Sequence, residues 1–521
     1  MKKIYFLISL TLIAFSSCNR HDDLDDLLLP NDKNNQEMPK TRGINNKSYH
    51  SLGVSYDITD EYLGIDATRA LVVDIDAFLK DNPNSYLSNT TTVGENEVRA
   101  GATAKDFSEE ITKKIKNTNA LSGIASWFPT GKLTYESETT TKNTYSSKYS
   151  YAQVNLNKRI KRVALNATPI LLQKYLYPEF IRDLDLYSPD EFVKVYGTHV
   201  LLDITLGGRL QFSYRSEIFH QTNTVEKKKI VEAGIGGILK KLVPFDLSIK
   251  SEYINNTTYA EKNGNWEMKV KYIGGETSGM GNISFDSEAG TPSLGLNPSQ
   301  WENSVNEKNS AIVDVDWNKT YPIFEFIADP TKKAQIKAAV QKYIDDKRIE
   351  IIDVAPLYRL FDTRSINAFY TSSWEEAERY LRTYSYWRLD PAISGQYIQG
   401  YVFTKQIPGT VPLYRLWNIN VSNTWYTTSW TEAQDYMNRF GYKLDYGLEQ
   451  KGHYIQGYIY KEQQPNTVAL YRLFDRNQHN NFYTTSWSEA QYYVNNYKYY
   501  SLDPGTSGQY IQGYMIPIGN Q

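Results

Sequence analysis

The chain has 521 residues, with 57 Lys and Arg against 59 Asp and Glu and a net charge of −2 at neutral pH. This length suits two or three domains with large cores, and the balanced charge gives no indication of a nucleic-acid partner. The single cysteine, Cys18, excludes an intrachain disulfide and a cysteine-based metal site. Tyrosine is unusually frequent, at 43 residues, which favours β-structure and adaptable binding surfaces.

The first 17 residues have the pattern of a secretory signal peptide. Two lysines precede an apolar run from Ile4 to Phe15, which is too short to span a membrane as a helix. Ser16 and Ser17 then lead into Cys18, which resembles a bacterial lipobox and predicts acylation of that cysteine. The alternative is an ordinary signal peptide with an incidental cysteine. We expect an exported protein located at the bacterial outer membrane or cell surface, or released from it.

Residues 18–48 have the composition of a flexible tether. An acidic run at residues 22–26 is followed by a polar stretch that contains Pro30 and Pro39. The run resembles the acidic export tags of surface lipoproteins in Bacteroidetes-type bacteria. A solvated linker without a sorting role is the alternative.

An α+β domain is predicted over residues 49–350. Alternating apolar and polar residues predict strands, and helical periodicity with a start signal at Ser188 predicts helices. The predicted strands are 70–78, 132–153, 200–206, 209–214 and 266–273. The predicted helices lie within 107–128, over 169–187, from Pro189 towards Tyr196, and over 332–345.

One stretch, from Tyr196 to Gly208, organises this domain. It predicts a strand that is entered from a tight turn and left through paired glycines, which permit a hinge, a bulge or both. The side chains of Tyr196, Thr198 and His199 are predicted to hold that turn in place through local contacts, next to Gly197. The sequence contains only 6 histidines and no cysteine near His199, so we predict a structural rather than a catalytic histidine.

Tyr196-Gly-Thr-His199, seven residues and then Gly207-Gly208 resemble the signature of the membrane attack complex/perforin (MACPF) family. Other stretches resemble further family motifs in the same order: 52–57 the opening motif, 272–275 a later glycine turn, and 301–304 with 321–323 the closing segment. The resemblance implies a bent, twisted antiparallel central sheet flanked by two helical clusters. In this family the clusters unfurl into membrane-crossing β-hairpins of a ring-shaped homo-oligomer.

By order along the chain, the two clusters correspond to residues 105–128 and 225–259. Each is long enough for a hairpin, which requires roughly 20 to 25 residues, and neither is apolar enough to span as a helix. An ordinary surface helix and loop is the alternative for the lysine-rich second segment. The membrane-insertion candidates are Lys105, Ile111, Ile115, Leu121, Trp127, Phe128, Val225, Ile230, Val231, Ile235, Ile238 and Leu239.

From residue 356 the sequence repeats three times, over 356–411, 412–468 and 469–521. A Leu-Tyr-Arg-Leu motif, a Tyr-Thr motif before tryptophan and a Tyr-Ile-Gln-Gly-Tyr motif recur in each unit. Each unit predicts two strands, a short helix opening at a tryptophan such as Trp374, and two more strands. Three such units predict a β-rich pseudo-threefold domain, of a propeller or prism type.

Most of the repeated tyrosines and tryptophans are predicted to be core residues. The polar loops between the first two strands of each unit vary, and variable loops on a repeated scaffold favour recognition of a glycan or surface receptor. A purely structural cap is the alternative. The ligand-recognition candidates are Asp362, Asn367, Asn418, Asn423, Asp475 and Asn480.

These features predict a secreted pore-forming protein that resembles the antimicrobial MACPF lipoproteins of Bacteroidales. The repeats would select a target membrane, and the large domain would oligomerise and insert its hairpins. A non-lytic adhesin or glycan-binding lipoprotein on the same scaffold is the alternative. The sequence shows no catalytic motif and indicates no metal or cofactor, so we predict that the protein is not an enzyme.

Overall fold

The computed structural model describes residues 52–90, 96–125, 132–135, 143–242, 251–276, 283–289, 298–447 and 453–519. The predicted signal peptide, Cys18 and the tether lie outside the described residues. Trp127 and Phe128 of the first predicted insertion segment also lie outside them.

The large domain combines long antiparallel strands with short helices. Its strands are β1 Val54–Tyr56, β2 Thr68–Leu71, β3 Tyr86–Thr90, β4 Glu97–Gly101, β5 Thr144–Ser146, β6 Tyr149–Leu165, β7 His199–Leu201, β8 Asp203–Glu217, β9 Gly264–Ile273, β10 Ile283–Asp286, β11 Ala311–Val315, β12 Thr320–Pro322 and β13 Glu350–Ile352. Its α-helices are α1 Ile75–Asp81, α2 Ala104–Thr112, α3 Pro169–Leu172, α4 Pro178–Leu186, α5 Pro189–Tyr196, α6 Thr224–Leu242, α7 Thr257–Ala260, α8 Pro298–Ser304 and α9 Pro330–Asp346. Short 3-10 helices occupy Ile65–Ala67, Pro83–Ser85, Asn119–Leu121, Gln173–Tyr175, Trp317–Lys319 and Ile323–Phe326.

Two sequence-based strand assignments are wrong in part. The predicted strand 70–78 ends at Leu71 and gives way to α1, because the Asp74 carboxylate accepts a hydrogen bond from the Ala77 amide at 2.9 Å and caps a helix. That helix buries Ile75 and Phe78, three residues apart on one helical face. The predicted strand 132–153 is not extended at residues 132–135, and its described strands begin at Thr144 and Tyr149.

The central sheet has the strand order β10-β9-β8-β6-β3, with β4 also paired to β6 and β11 to β8, and all pairs are antiparallel. The long strands β6 and β8 pair along their whole length, and the register shifts once, at residue 160. A smaller antiparallel sheet has the order β12-β7-β1-β2. The predicted α+β class and antiparallel central sheet are confirmed.

The C-terminal region repeats one unit three times in a 12-stranded sheet. Its strands are β14 Val354–Asp362, β15 Asn367–Thr371, β16 Trp387–Leu389, β17 Ile398–Phe403, β18 Thr410–Asn418, β19 Asn423–Thr427, β20 Lys443–Leu444, β21 Ile455–Tyr460, β22 Val468–Asp475, β23 Asn480–Thr484, β24 Tyr500–Leu502 and β25 Ile511–Met515. One helix per unit follows the second strand: α10 Trp374–Thr383, α11 Trp430–Phe440 and α12 Trp487–Asn496. The predicted order of two strands, helix and two strands is confirmed.

Three buried tyrosines, one from each unit, form a ring of hydrogen bonds that joins the three units. The Tyr426 hydroxyl donates to the Tyr370 carbonyl at 2.6 Å, that of Tyr483 to the Tyr426 carbonyl at 2.9 Å, and that of Tyr370 to the Tyr483 carbonyl at 2.7 Å. Each hydroxyl also accepts from a backbone amide of the same ring at 2.8 Å. No unit can complete this ring alone, so the three units form one cooperative body.

A cyclic set of buried ion pairs joins the same units. Each arginine of the Leu-Tyr-Arg-Leu motif binds a glutamate on the helix of another unit: Arg359 with Glu489, Arg415 with Glu376 and Arg472 with Glu432, at 3.0, 2.8 and 2.9 Å. The three arginine side chains have no solvent exposure. A buried charge without its partner is strongly unfavourable, so these pairs make the association of the units all-or-none.

We expect Glu489→Ala to destabilise the C-terminal domain by about 3 kcal/mol, because it removes the fully buried carboxylate that pairs with Arg359 and leaves that guanidinium with Asp390 alone, at 3.3 Å. The matched control is Asp435→Ala, which removes a more exposed pair with Arg439 within one helix and should cost no more than about 0.5 kcal/mol. Urea denaturation followed by tryptophan fluorescence measures both. Equal effects of the two substitutions would contradict the interlocking role of the buried pair.

Candidate functional site

The turn that enters β7 is fixed by helix α5. Ser188 begins that helix with a capping box: its backbone amide donates to the Glu191 carboxylate at 3.0 Å, and its hydroxyl accepts from the Glu191 amide. The helix is capped by Gly197, whose φ of 70° and ψ of −151° form a backbone conformation that glycine alone adopts without strain. The buried Tyr196 hydroxyl donates to Asp183 at 2.9 Å, which ties this turn to α4.

Thr198 and His199 fasten the turn to two other parts of the domain. The Thr198 hydroxyl accepts from the Ile58 amide at 3.0 Å and lies 2.8 Å from Nδ1 of His199. Nε2 of His199 lies 2.7 Å from the carbonyl oxygen of Ala120, which can only accept, so Nε2 carries the proton of the neutral ring. Burial lowers the pKa of the His199 imidazole to about 4. These contacts are those of a structural histidine.

The stretches that resemble family motifs converge on this strand. β1 carries the opening stretch and pairs with one edge of β7, and β12 carries part of the closing stretch and pairs with the other edge. Trp301 donates from Nε1 to the Gly274 carbonyl at 3.0 Å, beneath the end of β9.

Gly207 and Gly208 lie inside β8, not between two strands, so the strand runs without a break through the predicted exit hinge. The strand is instead interrupted earlier, at Leu202. A Cβ atom built at Gly207 would lie 1.9 Å from the Lys158 carbonyl oxygen, next to the register shift of β6 at residue 160. At Gly208 it would lie 2.9 Å from the Trp301 ring. Both glycines therefore permit close packing that a side chain would prevent, next to the bulge in β6 and against Trp301.

The first predicted insertion segment packs partly on the sheet and partly beside His199. Ile111 of α2 is buried with the tyrosines of β5 and β6, and Ile115 and the half-buried Leu121 belong to the core around β7. Lys105 is exposed on α2. The hydrogen bond from His199 to Ala120 places the signature histidine directly on this segment.

The second segment forms α6 and α7. Helix α6 packs on the sheet face formed by β4, β6 and β8. It buries Ile230, Val231, Ile235, Ile238 and Leu239 there, whereas Val225 is exposed. The helix also packs closely on the residues that lead into α7, since a Cβ atom at Gly236 would lie 1.7 Å from the Ile254 carbonyl oxygen.

A family model described as the MAC/Perforin domain matches residues 90–352, which is half of the chain. The chain belongs to the MAC/Perforin domain family. A second model, a domain of unknown function (DUF5648), matches residues 301–450 and 446–505.

Solved structures with similarity to this MACPF chain come from several bacteria. A protein with a MAC/Perforin domain from Bacteroides thetaiotaomicron is 16% identical, with a TM-score of 0.44, over 63% of this chain and 68% of that one. GNIP1Aa from Chromobacterium piscinae is 12% identical, with a TM-score of 0.41, over 73% and 66%. The cytotoxin suilysin from Streptococcus suis is 9% identical, with a TM-score of 0.21, over 48% and 46%. No curated protein matches the chain.

The structure places the recognition candidates of the repeats in the interior, which does not fit the proposed role in ligand contact. Asp362, Asn367, Asn418, Asn423, Asp475 and Asn480 are all buried. Asp362 and Asp475 accept from backbone amides two residues ahead at 2.8 Å, as turn-forming aspartates do. Asn367 donates to the Ser422 carbonyl and Asn480 to the Ile366 carbonyl, both at 2.7 Å, so these side chains join one unit to the next.

Sequence reasoning missed the polar residues that hold the second segment. The Asn263 amide donates to the Ile230 carbonyl at 2.9 Å and its oxygen accepts from Ser216 at 2.6 Å, which ties α6 to the end of β8. Lys148 directly precedes β6 and Glu217 ends β8, so both lie where an insertion segment joins the central sheet. The Lys148 ammonium lies 3.2 Å from the buried Glu217 carboxylate and donates to the Gly519 carbonyl at 2.7 Å. These residues carry no motif, because their partners are distant in sequence.

The described residues contain no helix that is long and apolar enough to cross a membrane. They also contain no group of three or more potential metal ligands among His, Cys, Asp and Glu.

We expect the stability of the domain to fall as the pH drops from about 6.5 to 4, because the unfolded chain protonates His199 near pH 6.5 and the folded chain only near pH 4. This contribution is fully present above pH 6.5, and about 2 kcal/mol of it is lost at pH 5. Urea denaturation at pH 7 and pH 5 measures the loss, which His199→Gln should abolish. His453→Gln, at an exposed position, is the control and should keep the wild-type pH dependence. An unchanged pH dependence in His199→Gln would contradict the assignment.

Proposed function

We propose that this MACPF protein forms pores, and that the connections from β4 to β6 (residues 102–148) and from β8 to β9 (residues 218–263) insert into a target membrane as two β-hairpins. These connections contain the predicted insertion segments 105–128 and 225–259. The observation that carries the proposal is the strand order of the central sheet. Strands β4, β6, β8 and β9 are neighbours, and each of the two segments connects the ends of adjacent antiparallel strands, β4 to β6 and β8 to β9.

The four strands end at nearly the same position along the sheet, at the edge where both segments begin. Gly101 pairs with Tyr151, Tyr149 with Glu217, and Glu217 with Gly264. Extension of both segments would therefore lengthen existing ladders in register, without any new strand pairing at the base. Each segment has about twice the length that one membrane-crossing hairpin requires, roughly 20 to 25 residues.

The segments are amphipathic in a way that supports insertion as strands. The buried aliphatic side chains of α6 pack on the sheet, Lys240 and Lys241 at its end are exposed, and Lys227, Lys228 and Lys229 in its first turns are half-buried. In a barrel wall, alternate residues face lipid and lumen, so a segment that mixes polar and apolar residues can cross the membrane as strands. It need not be uniformly apolar, as a membrane-spanning helix must be. A hairpin alone would leave unpaired backbone groups in lipid, and insertion therefore requires a closed ring of copies.

We further propose that the protein acts as an antibacterial toxin and that the C-terminal repeats recognise a receptor or glycan on the target surface. The support is the sequence: an export signal, a lipobox at Cys18 and a repeated domain after the MACPF domain. We place the protein at the outer membrane or cell surface of the producing bacterium, anchored through Cys18, or released from it.

We expect a disulfide between α6 and α7 to block pore formation. A Cβ atom built at Gly237 lies 3.2 Å from the Ala260 Cβ, close to the separation of about 3.5–4.5 Å in disulfides. If β8 and β9 lengthened in the register that pairs Glu217 with Gly264, positions 237 and 260 would lie many residues apart along the hairpin. The oxidised double variant Gly237→Cys/Ala260→Cys therefore cannot form the hairpin. The measurement is dye release from liposomes made from lipids of related bacteria, with a protein that begins at residue 19 and so lacks Cys18.

The reduced double variant and the two single variants are the controls, and all three should release dye at the wild-type rate. Equal release by the oxidised and reduced double variant would show that α6 and α7 do not open. If the wild type binds target cells but releases no dye from any membrane, the protein acts as an adhesin and the pore proposal fails.

A further inference from the structure

Each C-terminal unit contains the same cluster of aromatic side chains, which we call a platform. The tryptophan that opens each helix packs beside the tyrosine of the Leu-Tyr-Arg-Leu motif, with ring centroids 5.3, 5.1 and 4.9 Å apart. A second tyrosine completes each platform, and its carbonyl accepts from the amide of the motif arginine. The first platform is Tyr358, Trp374 and Tyr397; the second is Tyr414, Trp430 and Tyr454; the third is Tyr471, Trp487 and Tyr510.

The first platform is occupied by the MACPF domain. His220, in the residues between β8 and α6, stacks on Trp374 with a centroid distance of 4.1 Å and an angle of 23° between the rings. It also stacks on Tyr397 at 5.6 Å. The Tyr358 hydroxyl donates to the Phe219 carbonyl, so the platform binds a flat ring and an oxygen acceptor together.

The other two platforms are open to solvent. Trp430 and Trp487 are 40% and 42% exposed. Within the residues that the structure describes, the hydroxyls of Tyr414 and Tyr471 have no hydrogen-bond partner, whereas the equivalent Tyr358 is satisfied and buried. The pseudo-threefold fold thus presents two solvent-accessible copies of a site whose first copy holds a ring and an oxygen. At the second copy the Tyr446 ring packs on Tyr454, with centroids 5.2 Å apart.

We propose that the second and third platforms bind neutral saccharide units of a surface polysaccharide. A pyranose offers a C–H face that can stack on tryptophan and several oxygens that can accept from tyrosine hydroxyls. The residue after the tryptophan is Thr431 in the second unit and Ser488 in the third, where the first unit has Glu375. Hydroxyl neighbours suit an uncharged ligand that carries hydroxyl groups.

A polysaccharide also fits the duplication of the site. Two equivalent platforms on one rigid domain gain avidity from a ligand that itself repeats, since the second contact forms at a high effective concentration. In the first unit, Lys148 and Glu217 of the MACPF domain bind the backbone of Gly519, and the Lys148 ammonium lies 5.7 Å from the centre of the Tyr401 ring.

This inference rests on the proposed function only for the recognition role of the repeats, so its test does not depend on pore formation. The probe is a panel of neutral oligosaccharides of glucose, galactose, mannose and N-acetylglucosamine, titrated into the full chain and followed by tryptophan fluorescence and calorimetry. We expect at least one member to bind with two sites per chain. Trp430→Ala/Trp487→Ala should weaken binding at least tenfold, and each single substitution should leave one site.

Two further variants separate recognition from folding. Trp430→Phe/Trp487→Phe retains smaller rings and should give intermediate affinity, whereas Tyr492→Ala, an exposed aromatic residue elsewhere on the domain, should bind as the wild type does. Failure of every saccharide to bind, or equal binding by the double alanine variant, would overturn the proposal. Binding of a peptide of residues 216–223 in place of any saccharide would overturn it in favour of a protein partner. Saccharide binding without dye release would leave this site intact and refute the pore proposal alone.

Discussion

The packing of α6 on one face of the central sheet is the interaction on which the rest of the structure depends. Five candidate insertion residues on this helix are buried where it packs on β4, β6 and β8, and each fully buried aliphatic side chain contributes about 1.5–3 kcal/mol. The same contact hides the sheet face and keeps the β8–β9 connection helical. Any change to a hairpin must replace this burial, and in our account lipid and neighbouring copies replace it.

The C-terminal domain contacts the MACPF domain where the two insertion segments join the central sheet. Lys148 at the start of β6 and Glu217 at the end of β8 meet residues 517–519 and the ring of Tyr401. His220, three residues beyond Glu217, lies on the first aromatic platform. The proposed recognition domain therefore contacts the bases of both insertion segments, so an event on the repeats has a direct physical route to the segments.

The sequence predicted the features that depend on local or repeated signals. The signals for the helix start at Ser188, the motif around His199, the helix over 332–345 and the three repeated units all lie in neighbouring or repeated residues. It did not predict which polar residues are buried, because burial depends on partners that are distant in sequence. Asn367 and Asn480 seemed to be loop residues and instead join units, while Trp430 and Trp487 seemed to be core residues and are exposed. The bulge at residue 160 was likewise unpredictable, since it arises from the pairing of β6 with β8.

The central claim is that residues of α6 become a β-strand in the membrane, and site-specific fluorescence tests it most directly. An environment-sensitive dye is attached to single cysteines introduced in turn at each position from Ile230 to Leu239, and its emission is compared before and after the protein binds target liposomes. Our account predicts that the dye reports lipid and water at alternate positions, the period of a strand in a barrel wall. A period of 3.6 residues, or emission unchanged from that of the soluble protein, would show that α6 remains a helix and would contradict the account.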